Sequence, residues 1–106
     1  PPAAPTGLRI CAGGTDGCVD ATGAPAPPGT TVLSWDPATD PDGDAVAFYR
    51  IYRDGTGYEA RYDRLYASAS ALVWIDDDPG GAEHEYRVTA VDERFGESAP
   101  SEAVRG

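Results

Sequence analysis

Carboxylates make up most of the chemistry this chain can offer. The stretch Asp36-Pro-Ala-Thr-Asp40-Pro-Asp42-Gly43-Asp44 sets acids at every second position from Asp40 to Asp44, with a glycine among them. A bendable loop of that kind can wrap a hard cation, because calcium takes about 6–8 oxygen ligands. Asp92, followed by Glu93 and Glu97, can complete the set if both segments reach one end of the fold. The expected calcium ligands are Asp40, Asp42, Asp44 and Asp92. The loop lacks the EF-hand pattern and its terminal Glu, and the competing reading is a plain solvated turn. Asp76-Asp77-Asp78 is expected at the opposite end, also as a solvated turn.

Cys11 and Cys18 enclose Ala-Gly-Gly-Thr-Asp-Gly, a turn-prone string that lets the two sulfurs meet across a tight hairpin. The spacing predicts a disulfide, worth about 2–3 kcal/mol by restriction of the unfolded chain. A structural zinc site needs about four ligands, and His84 is the only other soft donor. The disulfide places the chain in an oxidising, extracytoplasmic setting. One histidine, no lysine and two oxidised cysteines leave no nucleophile–base pair. A glycosidase-type carboxylate pair would need a cleft between its members. The chain is therefore expected not to be an enzyme, and to need no cofactor apart from calcium.

Eighteen acids against eight bases give a net charge of −10 over 106 residues. Such a field repels nucleic acid and anionic lipid, so neither is an expected partner. No apolar run approaches the roughly 18 residues of a membrane span, and no signal segment stands at the N-terminus, so the chain reads as mature or excised. All the basic residues are arginine, and lysine, asparagine, glutamine and methionine are absent. Without asparagine there is no N-glycosylation sequon. The length suits one two-layer domain.

The positioning elements show in period-two alternation. Thr31–Trp35 turns Thr31, Leu33 and Trp35 inward, and Ala45–Arg53 turns Ala47, Tyr49 and Ile51 inward. Ala71–Ile75 buries Leu72 and Trp74, and the strand that follows buries His84, Tyr86, Val88 and Ala90. Short strands are expected at Leu8–Ile10 and Ser101–Arg105. Residues 1–7 read as an extended interdomain linker or N-terminal arm.

TVLSWDP at 31–37, AFYRIYRDG at 47–55 and EYRVTAVDERFGESAPS at 85–101 resemble strands B, C and F with its following loop of a fibronectin type III domain. The resemblance spans Pro5 to Val104. It implies an all-β, immunoglobulin-like, seven-stranded antiparallel sandwich over residues 8–106, with residues 11–29 as a disulfide-closed insertion between strands A and B. His84 takes the place of the family's corner tyrosine, its ring expected at the sandwich end with one nitrogen bonded to a backbone carbonyl. Alternation on strand C turns Phe48, Arg50 and Tyr52 outward. With Tyr58, Tyr62 and Tyr66 they form the expected partner-binding aromatic face. The function this implies is a non-catalytic spacer or adhesion module of a secreted or cell-surface bacterial protein, touching neighbouring domains. The alternatives are a self-associating subunit of an extracellular fibre, or a glycan- or protein-binding domain using the aromatic face.

Overall fold

The computed structural model describes residues 1–54, 65–69, 71–77 and 84–106. Among them the chain is all-β: β1 Arg9–Ala12, β2 Thr31–Ser34, β3 Val46–Arg53, β4 Leu65–Ala69, β5 Val73–Asp76, β6 Glu85–Asp92 and β7 Val104–Arg105. One sheet has the order β1-β2-β5 and the other β4-β3-β6-β7. All pairings are antiparallel.

The two sheets enclose Leu33, Trp35, Tyr49, Ile51, Tyr86, Val88 and Ala90, with Leu72 and Trp74 partly buried against them. These are the positions that period-two alternation turns inward. Trp35 meets Tyr49 edge-on, ring centroids 5.4 Å apart, and the Tyr49 hydroxyl accepts the Ala38 N–H at 3.1 Å. The alternation fails at one point. Ala47, expected inside, is exposed, because the register of β3 against β6 shifts between Val46 and Phe48. The extra residue of a β-bulge reverses the phase on its far side, so Val46 packs on the core instead.

Residues 11–29 do more than connect strands. Cys18, Ala26 and Val32 form a second buried cluster, with Cys11, Val73 and Ile75 packed against it. Val32, Val73 and Ile75 lie on the outer face of β2 and β5, so that sheet is covered on both sides. The cover is built by the Cys11–Cys18 disulfide, whose Cα atoms are 5.8 Å apart, by the Val19–Pro25 bridge, and by Gly14 N–H to Ala26 O at 2.8 Å and Ala26 N–H to Cys18 O at 2.9 Å. Gly13 permits the return pass, since a Cβ there would stand 2.0 Å from the Pro27 carbonyl oxygen. β1 starts and ends later than expected, and its pairing of Cys11 with Val32 feeds straight into this cover.

Residues 1–7 are seated on the domain. Pro2 and Pro5 are buried, Ala3 N–H donates to Thr39 O at 2.7 Å, and Thr6 O accepts from Asp36 N–H at 2.9 Å.

Candidate functional site

One pole of the sandwich is made by the β2–β3 and β6–β7 loops. In the first, Asp40-Pro41-Asp42-Gly43 forms a turn: Gly43 N–H donates to Asp40 O at 3.0 Å, and Asp40 Oδ1 accepts the Asp42 N–H at 2.8 Å. Proline suits the second turn position, and Gly43 takes the left-handed conformation at φ 84. In the second loop Asp92 organises the chain. Its Oδ1 accepts N–H groups from Gly96 at 2.8 Å and Arg94 at 2.9 Å. Those donors, Gly96 foremost, hold its carboxyl below the usual carboxylate range.

The folded chain brings carboxylate oxygens of Asp40, Asp44 and Asp92 within 4.8 Å of one another. Asp42 does not join them as expected; its Oδ2 pairs with the Pro1 amino group at 3.1 Å. Glu97 does not join them either. It points along the outer face of β3 and β6, where it accepts from Arg50 at 3.2 Å, from Thr89 Oγ1 at 2.6 Å and from the Tyr52 hydroxyl. Phe95, which alternation does not single out, is 76% exposed with φ 63.

That cluster corrects the expected aromatic face at Tyr52. Tyr52 is outward in phase but only 2% exposed, its hydroxyl tied down by Glu97. Phe48 is half-buried, with the Arg50 guanidinium 5.5 Å above its ring. Tyr58 and Tyr62 lie outside the described residues, as does the side chain of Tyr66 in β4.

At the other pole the triple acid is not a uniform solvated turn. Asp77 is exposed, but Asp76 is fully buried. It accepts from the Tyr86 hydroxyl at 2.6 Å and from Arg53 at 2.8 Å, which closes the end of the space between the sheets. Alternation carried the signal for this, since Asp76 follows Trp74, and Arg53 follows Ile51, on the inward phase. His84 Nδ1 stands 2.6 Å from the Asp54 carboxylate oxygen Oδ2, and its ring meets Tyr86 edge-on.

Burial first, then Glu97, pushes the Tyr52 hydroxyl up to about 12, and burial with Asp76 raises Tyr86 as well. An unfolded tyrosine ionises near 10. The stability these two phenols contribute is thus complete below about pH 10 and lost as pH rises through their folded values. We expect denaturation midpoints to fall between about pH 10 and 12, and the fall to be shallower in the Tyr52→Phe and Tyr86→Phe variants; equal slopes in all three proteins would refute it.

A groove of about 500 Å³ runs between residues 4–8 and 100–104. Its one acid is Glu102, and no histidine, cysteine or arginine lines it.

No protein-family model matches the chain, and no curated protein matches it in sequence. Solved structures do. A Fn3-like protein from Clostridium thermocellum is 24% identical with a TM-score of 0.65, over 98% of this chain and 90% of that one. The chain has the fibronectin type III fold. Titin domains A168–A170 match at 24% identity and TM-score 0.63, over 99% of this chain and 31% of that one. Pectate lyase PelI from Erwinia chrysanthemi, in complex with tetragalacturonic acid, matches at 23% identity and TM-score 0.60, over 97% of this chain and 28% of that one. In both longer proteins the matched part is under a third of the chain. β2, β3, β5, β6 and β7 are the expected strands B, C, E, F and G of this fold.

Proposed function

We propose that this fibronectin type III module is a non-catalytic spacer and contact unit of a secreted or surface-attached bacterial protein, with residues 11–29 as an insertion between strands A and B that thickens it. The observation that carries the reading is the placement of the two chain ends. Pro1 sits beside Asp42 at the pole where β6 ends in Asp92. Gly106 exchanges backbone hydrogen bonds with His84, N–H to O at 3.0 Å in each direction, at the pole where β6 begins. A chain that enters at one pole of a stiff sandwich and leaves at the other sets the distance and orientation of whatever flanks it. The titin and pectate lyase matches support a modular use, and the Cys11–Cys18 disulfide is compatible with an extracytoplasmic setting.

Two facts weigh against the alternatives. Residues 1–7, the arm a fibre would donate to its neighbour, already lie on their own domain through Ala3 and Thr39, and Tyr52 is withdrawn from the face a glycan would stack on. Sedimentation velocity from micromolar to millimolar concentration should give an 11.1 kDa monomer throughout. Fluorophores at the two chain ends should report one narrow distance distribution. Concentration-dependent polymers would favour the fibre, and a broad or collapsed end-to-end distance would remove the spacer.

A further inference from the structure

We propose that Phe95, at the tip of the β6–β7 loop, is an anchor that docks into an apolar pocket on a basic partner protein. It is the most exposed large apolar side chain among the described residues, at 76%, and its backbone holds a left-handed φ of 63. A lone exposed apolar residue calls for no explanation. A bulky one held left-handed does, because that conformation is ordinarily left to glycine and costs free energy. The loop demands it. Phe95 N–H donates to Asp92 O at 3.1 Å and Asp92 N–H donates to Gly96 O at 3.0 Å, the pattern of a type I turn closed by a bulge whose left-handed position glycine normally fills. Glycine stands one place later, at Gly96, where a Cβ would meet Asp92 Oδ2 at 2.9 Å. The chain thus uses its glycine to seat Asp92 and presents a phenyl ring from the strained position.

Both feet of the loop are fixed. On one side Asp92, only 3% exposed, takes the Arg94 and Gly96 N–H groups on Oδ1. On the other, Glu97 pairs with Arg50 and accepts from Thr89 and Tyr52 on the outer face of β3 and β6. A ring held in place before contact loses little conformational freedom when it docks, and aromatic anchors seated in pockets carry much of the energy of protein interfaces. Charge selects the partner. Glu93 is exposed in the same turn, Asp40, Asp42 and Asp44 stand in the neighbouring loop, and Arg94, the cation of the turn, lies 3.7 Å from Asp44. A chain of net charge −10 repels a second copy of itself, and it draws in a pocket rimmed by lysine or arginine. Such an anchor deepens the contact role proposed above and owes nothing to the distance between the chain ends.

The test replaces Phe95 by photoreactive p-benzoylphenylalanine, with a second protein carrying it at exposed Ala21 as the control, and irradiates each with the surface and secreted proteins of the producing organism. We expect an adduct at residue 95 and none at residue 21. The captured protein, once purified, should bind the parent with an association rate that falls as salt rises, and should bind Phe95→Ala at least about tenfold more weakly. Phe95→Ala keeps the left-handed strain without the ring, so its melting temperature should match the parent's. Phe95→Gly should lose binding as well, yet melt several degrees higher. Four results each overturn the anchor: no adduct specific to residue 95, an adduct with a second copy of this chain, equal binding of the captured protein by Phe95→Ala, or a Phe95→Gly protein that melts no higher than Phe95→Ala. The distance between the chain ends, on which the spacer reading stands, is untouched by any of them.

Discussion

Replacing Asp76 by alanine is expected to destabilise the domain by about 3–5 kcal/mol, the usual result of removing one member of a buried ion pair. The carboxylate is fully buried, and one oxygen, Oδ2, takes both the Arg53 guanidinium at 2.8 Å and the Tyr86 hydroxyl at 2.6 Å. Without it a guanidinium that is 18% exposed and a phenol in the core each lose an acceptor. Tyr86→Phe removes only a donor and should cost about 1 kcal/mol. Because the two share a contact, the double variant should be less destabilised than the sum of the singles. In urea the Asp76→Ala midpoint should fall by at least about 1 M. A loss under about 1 kcal/mol would mean that this acid is solvated like its neighbour Asp77.

Cys11→Ser with Cys18→Ser should cost about 2–3 kcal/mol through the released chain entropy, with a further contribution from burying a serine hydroxyl at Cys18, a site only 2% exposed. The effect should be local. Hydrogen exchange should accelerate at the amides of Gly14 and Ala26, which hold the cover together, while β3 and β6 keep their protection. As Val32, Val73 and Ile75 lose their cover, dye binding to exposed apolar surface should rise. Unchanged stability and unchanged protection at Gly14 and Ala26 would show that the segment needs no crosslink.

Much of the fold was legible along the chain, because a strand's two faces follow from a period of two that any short window displays. Leu33, Trp35, Tyr49, Ile51, Val88 and Ala90 could be placed inside without reference to one another, and the tight spacing of Cys11 and Cys18 made their pairing legible. Asp76 shows where that reasoning stops. Its phase was readable, but local sequence treats three consecutive acids alike, and only the approach of Arg53 and Tyr86 from the other sheet makes Asp76 an internal group. The same limit explains Ala47, where a bulge set by pairing with β6 reversed the phase, and Tyr52, whose outward direction did not amount to exposure once Glu97 arrived from the following loop.

The candidate calcium ligands divide in the same way. Composition and spacing put acids in two loops, and the strand order put those loops at one pole. Bringing Asp40, Asp44 and Asp92 together without Asp42, and Glu97 to Arg50, depended on distances between residues far apart in sequence. Periodicity reports which side of a strand a residue occupies, whereas charge partners and burial depend on what the rest of the chain brings to that side, and that is decided only when the layers close.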